Sequence, residues 1–186
     1  MRQEREHAVR KAFISWAAGQ SPPPALVLPE VSTAGKKIDL VCVEEPVDPH
    51  TLPAKLKTYL LNVWLRADTH FNRPDWVRRL GIDQPYMRFA AERLAGKRVW
   101  LVELKEQLNS EALGQILVYG HHFARDYPEM QVGRSMVACL RSDPAVEEVC
   151  RNMEIETVVL AGADPPEVDD HPPVPLPGQE GGRIYS

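Results

Sequence analysis

With 186 residues, 44% of them apolar, the chain suits one globular domain with a sizeable core and room for an insertion. No apolar run approaches the roughly 20 residues that span a bilayer, and the charged opening MRQEREHAVR has no signal-type segment, so a cytoplasmic protein with no membrane partner is expected. The net charge of −4 argues against a nucleic-acid partner only until its distribution is read. Residues 50–98 hold ten Lys/Arg against four Asp/Glu, whereas residues 164–186 hold five acids against one Arg.

Residues 2–18 carry Val9, Phe13 and Trp16 on one helical stripe, ended by Gly19 and SPPP. Two short runs, ALVLPEV and KIDLVCVEE, follow as strands of a hairpin turned at STAG, and Pro46, Pro49 and Pro53 close that region. From Thr51 to about Gly96 the pattern is helical. Leu56, Leu60 and Val63 share a face, Pro74 to Leu80 reads as a short helix stopped by Gly81, and Asp83 caps a helix through Leu94 stopped by Gly96. Residues 98–105 are a strand, and Ser110 caps a helix running to about Arg125. A strand over Ser135–Leu140, a helix over Pro144–Met153 and a strand over Glu156–Leu160 complete the order. The expected architecture is an α/β fold, a mixed sheet flanked by helices. It spans residues 1–163 with a basic helical insertion at about 50–97, and a disordered, acidic, Pro-rich tail covers 164–186.

Cys42, Cys139 and Cys150 form no metal-type spacing and read as buried thiols, and the six histidines lack ligand spacing as well. The informative stretch is WLVELKEQ. On an alternating strand Leu101, Glu103 and Lys105 share a face, and an apolar strand rarely carries two charges unless they are paired or bind something. Asp39 lies on the earlier apolar strand, GKKIDLVCVEE. If neighbouring strands bring Asp39 to Glu103, the carboxylates repel unless a cation sits between them, and hard oxygen donors suit Mg²⁺. Lys105 beside them could orient an attacking water or stabilise charge on a phosphate, the parts needed for metal-assisted phosphodiester hydrolysis. The bland alternative is a solvated pair on an edge strand, worth a few tenths of a kcal/mol.

Asp39 followed by Glu103-Leu104-Lys105 resembles the D…ExK signature of the PD-(D/E)xK nuclease superfamily, and Gln115 to Tyr119 is similar to the QxxxY motif of its RecB-type members. The resemblance spans most of residues 2–160 in element order. It implies a restriction-endonuclease-like fold and a Mg²⁺-dependent deoxyribonuclease, with Mn²⁺ as a substitute cation. Asp39, Glu103, Lys105, Gln115 and Tyr119 would be catalytic, and Asp39 and Glu103 would hold the metal with an acid from the first helix. Glu6 is the better match for that acid, with Glu4 its competitor. Two departures stand out: Ile38 replaces the proline before the aspartate, and the whole helical block separates Asp39 from Glu103. Asp68, Asp75 and Asp83 lie nearer but on no convincing strand.

DNA is the implied partner, preferred over RNA by the resemblance alone, and a homodimer is left open. Arg73, Arg78, Arg79, Arg88, Lys97 and Arg98 are the expected phosphate contacts, interleaved with Tyr59, Trp64, Phe71, Trp76, Tyr86 and Phe89, several of which fall at core spacing. The rival functions are a non-cutting nucleic-acid-binding module and an adaptor that recruits proteins through the insertion and the tail.

Overall fold

The computed structural model describes residues 2–66 and 81–160. The expected helix at Pro74–Leu80, with Arg73, Arg78 and Arg79, lies outside the described residues, as do Phe71, Trp76 and the tail from 164.

The first helix, α1 (Arg2–Ala18), buries Val9, Phe13 and Ala17, with Trp16 half-buried beside them. It is followed by β1 (Leu26–Thr33) and β2 (Lys36–Val43), an antiparallel hairpin. Ala34 and Gly35, at φ 43° and 74°, make the turn, both in the left-handed region that a tight hairpin needs. Asp126 locks it, accepting hydrogen bonds from the Thr33 hydroxyl at 2.8 Å and the Ala34 amide at 3.0 Å.

The helical expectation for residues 51–66 holds only as two four-residue helices, α2 (Ala54–Lys57) and α3 (Leu61–Trp64). Between them Leu60 is extended, at φ −58° and ψ 139°, and bridges to Leu26. That bridge extends the sheet edge and interrupts the helix. Tyr59 and Trp64 are core residues, and the Trp64 indole donates to the Val27 carbonyl at 3.0 Å. These two aromatics of the basic block therefore pack.

The helix α4 (Gln84–Arg93) begins at Asp83, whose carboxylate accepts from the Tyr86 amide at 2.9 Å. Gly96, at φ 78°, turns the chain into β3 (Arg98–Gln107). The next helix, α5 (Ser110–Asp126), is capped by Asn109, not by Ser110: the Asn109 side chain accepts from the Ala112 amide at 2.9 Å. Ser110 is the first helical residue. Then come β4 (Gln131–Arg141), α6 (Pro144–Asn152) and β5 (Glu156–Val159), with β4 starting four residues before the expected Ser135.

The five strands lie in sequence order, β1-β2-β3-β4-β5. The first three are antiparallel, and β3-β4 and β4-β5 are parallel, joined through α5 and α6 as parallel connections require. Thus β3 is the central strand, and α1 and α5 both pack on it and on β4. Trp100, of one parity, meets Trp16 of α1 with ring centroids 6.4 Å apart. Glu103, of the other parity, lies with Gln115 and Tyr119 of α5. All three cysteines are buried free thiols, as expected.

Candidate active site

The site forms where the antiparallel pair β2-β3 opens. The ladder runs from Val43–Val99 to Leu40–Val102, so Asp39 and Glu103 come one step beyond it, opposite one another and on the same face. At that step a side chain continues the pairing: the Asp39 carboxylate accepts from the Leu104 amide at 2.7 Å. The splay leaves a cleft of about 450 Å³ between the strands, α1 and α5.

Glu103 is buried to 3% exposure, which removes the solvated edge-strand alternative for this pair. Its Oε1 meets Lys105 Nζ at 2.9 Å, while its Oε2 meets no donor. The group beside it is the Asp39 carboxyl, and two such groups can bond only when one of them holds a proton. Burial raises the Glu103 pKa most, Asp39 adds to the rise, and Lys105 opposes it. Asp39 is raised too, first by burial and then by Glu30, against the Leu104 amide, Arg10 and Lys105. The pair therefore titrates above the ordinary carboxylate range, sharing a proton where isolated acids would have lost theirs.

Gln115 and Tyr119, one turn apart on α5, both line the cleft. Gln115 Oε1 is buried and meets no donor. Burial, with Glu103 and Asp39 next, drives the Tyr119 pKa upward, so the phenol keeps its proton and faces the cleft as a donor. The residues singled out by sequence, Asp39, Glu103, Lys105, Gln115 and Tyr119, are thus brought together. Glu6 also lines the cleft but is exposed at its rim.

Among the described residues no group of three or more His, Cys, Asp or Glu gathers as a ready cation cage. Magnesium does not require one, since it takes one or two carboxylates and keeps water and phosphate oxygens for the rest. An orphaned buried Oε2 on a glutamate that lies beside a second carboxyl matches a cation of that kind.

Three lining residues were not singled out from the sequence: Arg10, Glu30 and Lys37. The β1-β2 register pairs Pro29 with Leu40 and Val31 with Ile38 and skips Glu30 and Asp39 between them, and both line the cleft. Glu30, Asp39 and Glu103 thus reach the cleft from three successive strands. Glu30 has φ 50°, a left-handed conformation costing on the order of 1–3 kcal/mol for a residue with a side chain. It pairs with Arg10 at 3.4 Å and Lys37 at 3.9 Å. The spacing of Arg10 one turn after Glu6 was a signal in the sequence; the backbone of Glu30 was not.

The expected phosphate contacts within the described residues lie elsewhere. Arg98 is at the opposite end of β3, five residues from Glu103 and so about 17 Å along the strand. It pairs with Glu45 at 3.0 Å and Glu44 at 3.5 Å, and Lys97 donates to the Pro46 carbonyl at 3.0 Å. Arg88 is exposed on α4.

No family model, curated protein or solved structure matches the chain.

Proposed function

We propose that the protein is a divalent-cation-dependent nuclease that hydrolyses phosphodiester bonds in DNA, with the restriction-endonuclease-like fold of the PD-(D/E)xK superfamily. One observation carries the reading: two cross-strand carboxyls meet in a cleft with one buried oxygen lacking a donor and a lysine 2.9 Å from the other oxygen. The order α1-β1-β2, then β3-α5-β4, agrees with that fold. So does the Gln115–Tyr119 face on the helix that follows the Glu103 strand.

Asp39 and Glu103 would hold Mg²⁺, with Glu6 at the rim within the same cleft. When bound, the cation supplies a Lewis acid and an acidified water. The chain's own residues do the rest. Lys105 places a positive charge where a water is oriented or where negative charge develops on the phosphate. Tyr119, kept protonated, donates toward the cleft, and Gln115 offers an amide beside it. The Leu104 amide fixes one Asp39 oxygen, so that the carboxylate does not swing out of register.

Linear, circular and branched DNA, with an RNA control, incubated with EDTA, Mg²⁺ or Mn²⁺ test this function. Cation-dependent cleavage of DNA is the expected result. Salt-sensitive DNA binding without cleavage under any cation would select a non-cutting binding module instead. Absence of both would remove nucleic acid from the function.

A further inference from the structure

The nuclease reading leaves Arg10 and Glu30 without a role, although they occupy the same cleft as the carboxylate pair. Arg10 is a guanidinium with 9% side-chain exposure, projecting from α1 beside Asp39. Its contact with Glu30 is 3.4 Å, longer than the roughly 2.7–2.9 Å of a strong charge-assisted bond. Glu30 divides its carboxylate between Arg10 and Lys37, from a strand position whose backbone is left-handed. Strained backbone of that kind collects at active sites and ligand clamps.

Charge points the same way. The cleft holds four acids, Glu6, Glu30, Asp39 and Glu103, against three cations, Arg10, Lys37 and Lys105, a formal −1. A divalent cation changes this to +1, the complement of one phosphodiester. Of the three basic groups, Lys105 and Lys37 are point charges, Lys37 at the exposed mouth, 55% open. Arg10 is the one whose planar fork matches two oxygens of a phosphate.

We propose that Arg10 and Glu30 form a phosphate-binding subsite of the cleft, in which Arg10 takes the oxygens of a phosphate group and Glu30 is the counter-ion it exchanges for them. The proposal rests on the nuclease reading for its ligand, and its test is run so that the two stand or fall separately. Equilibrium binding is measured by anisotropy in EDTA and again in Ca²⁺, with the duplex checked on gels for cleavage, for a short duplex with and without terminal phosphates, and by competition with inorganic phosphate.

Arg10→Gln should weaken duplex binding about tenfold and make its log–log salt dependence shallower by about 0.9, the value of one duplex-phosphate contact. Arg10→Lys should fall between this variant and the wild type. Glu30→Gln removes competing negative charge, so it should bind at least as tightly as wild type, by up to about threefold more. Opposite or one-sided effects of this kind mark a subsite; an ion pair that only holds the fold makes both variants weaker together. The proposal is overturned if Arg10→Gln binds as wild type does, or if both variants weaken with a parallel loss of melting temperature. Loss of inorganic-phosphate competition in Arg10→Gln assigns the subsite to any phosphate group. A loss confined to the phosphorylated duplex assigns it to a chain end, and an equal loss on both duplexes to the internal backbone.

Discussion

The two ends of β3 handle the same residue types in opposite ways. At Arg98 the acids Glu44 and Glu45 meet an exposed guanidinium. Burial nudges Glu45 upward, but hydrogen bonds from the Arg98 amide and side chain outweigh it and hold the carboxyl below its usual range. At Glu103 burial and a second carboxyl win over Lys105, and the pair is pushed up. One end is satisfied within the chain; at the other the buried Glu103 Oε2 meets no donor. The difference lies in surroundings rather than composition: solvent and the Arg98 amide and guanidinium at the first, burial and a second carboxyl at the second.

The largest break in this comparison should be in activity. Glu103→Gln keeps shape and removes the charge, so cation-dependent cleavage should fall by at least about a hundredfold, the scale of losing one charge-stabilising group in a site. Glu45→Gln, at the satisfied end, should leave the rate unchanged. Cleavage assays on both variants in Mg²⁺, with circular dichroism to confirm folding, check the pair. Full activity in Glu103→Gln would remove the carboxylate pair from the mechanism.

Stability should divide the two ends with opposite signs. A carboxyl whose folded pKa is raised binds its proton more tightly in the folded state. Stability is therefore greatest at low pH and falls as pH climbs from the ordinary carboxylate range through the raised values of Asp39 and Glu103. In EDTA at neutral pH, Glu103→Gln should thus be more stable than wild type, on the order of 1–2 kcal/mol. Mg²⁺ should raise the wild-type melting temperature and leave that of the variant nearly still. The lowered pKa of Glu45 has the reverse sign: it contributes stability above the ordinary range that is lost as pH falls. Glu45→Gln should cost at most about 1 kcal/mol at neutral pH, the ceiling for an exposed pair. Melting curves across pH, with and without Mg²⁺, read both. A wild type indifferent to Mg²⁺ at every pH would show that the pair holds no cation.

What the sequence disclosed follows the range over which each interaction acts. The alternation of Leu101, Glu103 and Lys105 is local, as are the α1 stripe, the Asp83 cap and the i, i+4 pairing of Gln115 with Tyr119, and all were legible. Asn109 rather than Ser110 caps α5 because either residue can accept from an amide two or three residues on, and a one-residue shift is invisible to periodicity. Residues 51–66 have helical spacing, but the Leu60–Leu26 bridge is a tertiary contact that overrides it. Asp39 was placed correctly on its strand, yet the register that sets it across from Glu103 depends on chain segments more than 60 residues apart. Glu30 shows the remaining limit. It follows Pro29 in an apolar run and looks like a strand residue facing solvent. Nothing local announces the φ of 50° that accompanies its pairing with Arg10.

The smallest expected effect sharpens the comparison from the satisfied end. The basic block from residue 50 to 98 gives the chain its one strong positive excess, and Arg98 belongs to it by sequence. In the fold its guanidinium faces Glu44 and Glu45, and a phosphate could take it only by displacing them. Arg98→Ala should therefore leave the salt dependence of DNA binding within about 0.3 of the wild-type log–log slope, well short of the ~0.9 of a lost duplex-phosphate contact. It should also lower stability by less than about 1 kcal/mol, as for an exposed ion pair. Replacing Arg78 and Arg79 together, which lie outside the described residues, provides the contrast: if the block meets the DNA backbone there, the slope becomes shallower by up to about 1.8. Titrations at several salt concentrations, with a thermal melt of each sample, read both variants. A full unit lost in Arg98→Ala would mean that the Glu44–Glu45–Arg98 cluster opens on binding. That end of β3 would then be a docking surface held closed by its own acids, rather than a satisfied structural pair.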